Sequence, residues 1–279
     1  MISIIFGRMP ILFKLSLISY GISFFVYLLY FLKRKLIPKF LPTIIFLISF
    51  LLNFSLFIST WISYGHPPIR TLYETLIFFS LTVAFLYILM EFLTKLRFIG
   101  IFASAFSFFA LFYSLFKADI DKINLPAALQ SFWFIPHVII YFIAYSALFI
   151  SFVTAILYLI FPEVKELPDN HWLEQKYLDF DKFTYKIIQF GFVCLTLGLL
   201  IGGVWAKEAW GDYWGWDPKE NWSLITWLIY LIYLHLRFVK GWRGKKAAYF
   251  AILGFLAVIM TYLGVNILPT AESSLHTYQ

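Results

Sequence analysis

Apolar residues in this chain come in long, nearly unbroken runs, with the polar positions gathered between them. Eight windows stand out, at about 11–32, 41–62, 72–93, 97–117, 136–161, 185–205, 222–239 and 246–268. Each is long enough for one helical crossing of a bilayer core, which takes about 20 mainly apolar residues. Backbone N–H and C=O groups facing lipid must be satisfied within their own segment, so windows of this kind form helices. The pattern predicts an all-α fold, a polytopic transmembrane helical bundle of about eight spans joined by short loops, with no room for a separate soluble domain.

The loops orient the bundle. One alternate set of connections holds Lys33, Arg34, Lys35, Lys39, Lys95, Arg97, Lys165, Lys176, Lys182, Lys186, Arg237, Lys240, Arg243, Lys245 and Lys246, which is 15 of the 22 basic residues. The other set, with both termini, holds Arg8, Lys14, Arg70, Lys117, Lys122, Lys207 and Lys219. Cytoplasmic loops carry the excess of Lys and Arg, so the first set is expected inside and both termini extracytoplasmic. The 162–184 connection mixes its lysines with acids and reads as a solvated cytoplasmic segment that includes His171.

Composition agrees with this reading: 62% of positions are hydrophobic and only 13% charged, outside the soluble globular range. The net charge of +7 is accounted for by loop lysines and arginines, so it implies no nucleic-acid partner. A single cysteine, Cys194, sits in an apolar run and reads as a small buried hydrophobe; this chain alone builds no disulfide and no CxxC pair. The first ten residues lack a small-residue cleavage site and read as a retained lead into the first span.

Candidate chemistry concentrates in one short stretch. Between Trp205 and Ser223 lie Trp205, Trp210, Trp214, Trp216 and Trp222, five of the ten tryptophans in the chain. An interfacial aromatic belt explains one or two of them. Five, interleaved with Gly211, Gly215 and Pro218 and with four acids, suggest a turn-rich backbone that lays indoles as a platform for a large, flat, conjugated ligand such as haem. Lys219, Lys207 and Arg70 are the candidate partners for its propionates.

Five histidines are sorted by the expected topology. His137 begins the fifth span and His276 lies on the C-terminal tail, both on the face of the tryptophan segment. Two imidazoles, one from each side, give a porphyrin iron a stable six-coordinate centre. The eight-residue reach from Leu268 to His276 spans at most about 26 Å, enough to return over the site. His235 lies thirteen residues beyond Trp222, about 20 Å deeper at 1.5 Å per residue. An ionisable group at that depth marks a pathway or a ligand. His66, beside Pro67 and Pro68, reads as structural.

The stretch Trp210-Gly-Asp-Tyr-Trp214-Gly-Trp216-Asp217-Pro218-Lys219-Glu220-Asn-Trp222-Ser resembles the WWD signature of the haem-handling proteins of cytochrome c biogenesis. Within that superfamily the chain is similar to the CcsA (ResC) type of the System II cytochrome c synthase. Leu72-Tyr73-Glu74, Pro136-His137-Val138 and Leu275-His276-Thr277-Tyr278 resemble further elements of that type. Thr71 stands where Asn is usual and Ser274 where Gly is frequent. The likeness runs from residue 65 onward, so the chain divides into two N-terminal helices over 1–64 and a haem-handling domain of six helices over 65–279.

The resemblance implies that haem b enters from the cytoplasmic side and is held externally by Trp210, Trp214, Trp216, Asp217 and Trp222. His137 and His276 are then its axial ligands, and His235 the transmembrane ligand on the way in. It implies attachment of the haem to the thiols of a CxxCH motif in apocytochrome c, with a CcsB (ResB)-like membrane subunit and thiol-reducing proteins as partners. The membrane is then the bacterial cytoplasmic membrane, or the thylakoid membrane for a plastid-encoded chain. The alternatives are a WWD protein that loads haem onto a carrier, as in System I, and a transporter without haem whose tryptophans form only a belt.

Overall fold

The computed structural model describes residues 6–33, 36–117, 126–161 and 179–267. His276 and His171 lie outside these. Eight long helices follow in order: α1 (Ile11–Leu32), α2 (Leu41–Tyr64), α3 (Leu72–Thr94), α4 (Ile99–Ser114), α5 (Phe134–Ile160), α6 (Phe180–Trp210), α7 (Pro218–Val239) and α8 (Lys245–Tyr262). All eight are long and apolar enough to cross a membrane, α4 with a single-turn extension to Lys117. Among the described residues there is no strand.

The largest departure from the hydropathy windows is α6, which runs for 31 residues. At 1.5 Å per residue it measures about 46 Å, well beyond a hydrocarbon core of about 30 Å. Hydropathy stops where charge begins, but a helix does not. Asp179 caps the start by accepting from the Lys182 N–H at 2.9 Å, and Gly211 in the left-handed region (φ 95°) ends it.

The chain forms two compact units, one holding α1 to α4 and the other α5 to α8. In the first, α1 and α3 each pack on α2 and α4, a closed ring of four. Its buried positions recur every three or four residues, as at Ser16, Tyr20, Ser23, Tyr27 and Tyr30 on α1. Two polar layers cross its core. In one, Glu91 accepts from Tyr27 (2.8 Å), Tyr87 (2.5 Å) and Thr43, with Arg97 3.3 Å away as an ion pair. In the other, Asn53 donates to Ser80 at 2.7 Å and to Tyr20 at 3.5 Å, while Ser107 donates to the Ser80 carbonyl. Each layer draws a residue from all four helices or from the turn that begins α4. Helices in lipid have no hydrophobic force between them, so small and polar residues at the seam supply the association.

The second unit repeats the ring with α5 against α6 and α8, and α7 against α6 and α8. Its ties are pairwise: Thr154 with Thr184 (2.7 Å), Trp227 with Thr196 (2.9 Å), and Thr226 with Thr261 (2.9 Å). At one end Arg237 donates twice to Asp181, at 2.7 and 2.6 Å, fixing the end of α7 to the start of α6. The α5–α6 seam rests on glycine. A Cβ on Gly191, Gly198 or Gly202 would meet Leu148, Tyr141 or His137 at 2.9, 2.7 and 2.5 Å, so the two helices approach too closely for any larger residue.

Candidate functional site

The start of α5, the end of α6, the start of α7 and the end of α8 come together at one end of the second unit. His137 sits in the first turn of α5 and turns onto α6. Its Nδ1 lies 2.9 Å from the Gly198 carbonyl oxygen, and its ring leans on Trp205 (centroids 5.4 Å apart, 30° between planes) and Tyr141 (4.9 Å). A carbonyl can only accept, so Nδ1 carries the proton, and in the neutral form of such an imidazole Nε2 is the nitrogen with the lone pair. A metal-binding histidine is oriented in this way, with the ring nitrogen opposite the metal donating to a backbone carbonyl.

Trp205 is the buried wall behind that histidine, 2% exposed, with its indole N–H donating to the Ala128 carbonyl at 2.8 Å. Trp210, at the last turn of α6, meets it edge-on at 4.8 Å. Ser131, before α5, donates to Glu208 at 2.8 Å and ties the α5 approach to the same stretch of α6.

Between Gly211 and Asp217 the chain has no regular structure and turns back into α7. Asp217 is the N-cap of α7, accepting from the Lys219 N–H at 2.8 Å, with Pro218 at the first helical position and Glu220 completing a capping box. The buried Asp217 carboxylate therefore serves the backbone of α7. Thr71 and Glu74 form the same box at the start of α3, so Thr71 takes the capping role open to the expected Asn.

The expected flat platform is not what the indoles form. Trp214 and Trp216 stand almost perpendicular, at 87° with centroids 6.0 Å apart, the edge-to-face arrangement that ring quadrupoles favour. They make a corner, a half-buried Trp214 on one side and an exposed Trp216 on the other. The Trp214 indole nitrogen is buried without a hydrogen-bond partner. Lys207 donates to the Gly211 carbonyl and lies over the Tyr213 ring. Trp222, in the first turns of α7, offers its carbonyl to Thr226 (2.8 Å) and Thr261 (3.1 Å), fixing α7 against α8.

This end thus gathers His137, Trp210, Trp214, Trp216, Asp217 and Trp222 from the expected set. His235 lies on α7 towards its other end, exposed beside the exposed Leu231 and Ile232. Arg70 belongs to the first unit. Trp205, the first of the five clustered tryptophans, lies here as well. Gly198, Gly202, Glu220 and Asn221 were not among the sequence candidates; the glycine spacing on α6 and the D-P-K-E string were the signals that pointed to most of them. Among the described residues no group of three or more His, Cys, Asp or Glu side chains could hold a bare metal ion. One oriented imidazole, an indole corner and an unmet buried N–H donor suit a metal already carried in a flat macrocycle with acceptor groups at its rim.

The family model described as Cytochrome C assembly protein matches residues 69–271, and the chain belongs to that family of membrane proteins, whose role lies in cytochrome c biogenesis. A cytochrome c biogenesis protein CcsA of Guillardia theta is 40% identical over 241 residues, covering 78% of each chain. Its counterpart in Chlamydomonas reinhardtii is 40% identical over 231 residues, covering 78% of this chain and 62% of its own. Within the family the chain is therefore of the CcsA type. Among solved structures, the cytochrome c haem lyase CcmF shares the fold with a TM-score of 0.61 at 18% identity; the match covers 90% of this chain and 45% of that one.

Proposed function

We propose that this chain binds haem b at the tryptophan end of its second unit, on the extracytoplasmic side, and presents it for attachment to the CxxCH thiols of apocytochrome c. In this reading it is the haem-handling subunit of a cytochrome c synthase, acting with a CcsB (ResB)-like membrane subunit and with thiol-reducing proteins. The observation that carries it is the His137 imidazole, whose Nδ1 proton is engaged by the Gly198 carbonyl so that Nε2 is the ligating nitrogen. His276 is the second axial ligand. His235, exposed on α7 at an apolar surface, is the ligand met on the way in, and a partner membrane subunit covers it. Trp210, Trp214, Trp216 and Trp222 enclose the macrocycle, and Asp217 fixes the loop that carries them. Residues 65–279 form the haem-handling segment, and the match of the family model to 69–271 supports that boundary. The algal relatives favour the thylakoid over the bacterial cytoplasmic membrane.

The chemistry asks for position more than for reactive side chains. A thiol adds across each haem vinyl group: sulfur bonds to one vinyl carbon, the proton goes to the other, and no electrons are exchanged. The cysteines come from the apocytochrome, in keeping with a chain whose single cysteine lies in α6. Holding the vinyl groups and thiols in register can supply several kcal/mol of the barrier.

The test is an absorption spectrum of the purified full chain beside His137→Ala, His276→Ala and His235→Ala. A bis-imidazole haem spectrum lost on either of the first two substitutions and restored by added imidazole is the expected result. Four identical spectra, or a wild-type protein without a Soret band, would sink the reading. Labelling of a cysteine introduced beside residue 276, and of another in the Trp210 loop, checks that both face the extracytoplasmic side.

A further inference from the structure

The loop between α6 and α7 contains a backbone conformation that its sequence does not favour. Trp216 has φ 58°, in the left-handed region, although the glycine before it could have taken that place at no steric cost. Such a conformation in a bulky residue persists only when its surroundings over-determine it, and it gathers where a ligand is met.

The surroundings are two side chains from the first turn of α7. Glu220 Oε2 accepts from the Gly215 N–H at 2.8 Å and from the Asp217 N–H at 3.1 Å, gripping the backbone on both sides of Trp216. Asn221 Nδ2 donates to the Trp216 carbonyl at 2.9 Å. A capping box needs only the Asp217 contact. The bonds to Gly215 and to Trp216 do nothing for the helix; they fix the residue between. The result is an indole that is 68% exposed and stands edge-on to Trp214. An exposed, strained, triply held tryptophan is costly unless something flat covers it.

We infer that Glu220 and Asn221 are positioning residues that hold Trp216 in its left-handed conformation so that its indole face meets the haem macrocycle. This rests on the haem reading above. Asn221→Ala separates the grip from the helix cap, since Asn221 takes no part in the capping box. Glu220→Gln keeps a carbonyl oxygen that can accept from both N–H groups. Glu220→Ala and Asn221→Ala remove the grip, and Trp216→Gly keeps the backbone conformation while deleting the indole.

The experiment uses the full chain labelled with 5-fluorotryptophan in detergent, with the Trp216 fluorine resonance assigned by its absence in Trp216→Gly. Haem content per protein is read from the Soret band of the same samples. In Glu220→Ala and Asn221→Ala the resonance shifts or broadens and haem content falls on the order of fivefold, about the effect of losing one hydrogen bond. Glu220→Gln restores both, and Trp216→Gly loses haem as far as the alanine variants do. Loss of folded protein is recognised by helicity and by whether the other fluorine resonances keep their positions. An unchanged Trp216 resonance in both alanine variants overturns the grip. A shifted resonance with haem content intact overturns the purpose assigned to it. A wild-type chain without haem sinks the underlying reading instead, and the fluorine spectra still decide whether Glu220 and Asn221 hold the indole.

Discussion

Glu91 in the first unit and Glu220 in the second are both carboxylates near a helix end, but they are satisfied in different ways. Glu91 is 3% exposed and meets Tyr87 on its own helix and side chains from three other elements: the Tyr27 hydroxyl, Thr43 and Arg97. Glu220 meets backbone N–H groups of its own loop. The first unit uses its polar residues to lock four helices across a core. The second uses pairwise ties and a glycine seam for that purpose and spends its polar groups on shaping one end. The first unit is closed by its own layers, whereas the second leaves an indole corner open at one end.

The comparison can be broken by substitutions that ought to act on stability in one unit and on the site in the other. Glu91→Ala is expected to have the largest effect, destabilising the chain by about 3 kcal/mol, because it removes the shared acceptor of the Tyr27, Tyr87 and Thr43 hydroxyls and the partner of the Arg97 charge. Thermal unfolding in detergent measures this, and the haem spectrum of the surviving folded protein is expected to match wild type. A changed haem spectrum there would mean the units do not divide the work as described.

Gly202→Ala comes next. Its Cβ would lie 2.5 Å from the His137 ring, so the imidazole or the helix must shift, at a cost of about 2 kcal/mol. The axial-ligand spectrum should change with it. Gly191→Ala crowds the same seam against Leu148, away from the histidine, and should lower stability with the spectrum intact. Equal spectra for both would show that the Gly198–His137 contact does not set the ligand.

Asn53→Leu removes the centre of the second polar layer and is expected to cost about 1 kcal/mol, by the same unfolding measurement. Thr226→Val breaks a pairwise tie in the second unit and should cost least, about 0.6 kcal/mol, the average for hydrogen bonds between membrane helices. Reversal of that order would mean that the layers of the first unit do not hold it as described.

The helices were legible because lipid permits few alternatives: an apolar run of spanning length must satisfy its own backbone. Element ends were less legible, as α6 shows, since hydropathy registers Lys207 and Glu208 as an exit although helical hydrogen bonding continues through them to Trp210. The two capping boxes stand in the sequence as Thr71-Leu-Tyr-Glu74 and Asp217-Pro-Lys-Glu220, but the second lies inside a ligand motif, which masks the capping role of Asp217. His137 could be singled out by its place at a span end, but its tautomer depends on the Gly198 carbonyl, sixty-one residues along the chain, and no local pattern encodes that. Trp216 reversed local preference outright. Glycine propensity favours Gly215 for a left-handed turn, and the contacts from α7 decide otherwise.

Because α6 is one continuous rod from Gly191 to Trp210, it also keeps angular phase between the seam and the loop. Each residue turns the helix by about 100°, so a one-residue insertion between Gly202 and Trp210 would leave the histidine seat intact and swing the loop a quarter-turn or more away from it. A four-residue insertion would nearly restore the heading while lifting the loop about 6 Å. The length of this stretch is therefore a setting, and chains that share the site should keep it to the residue.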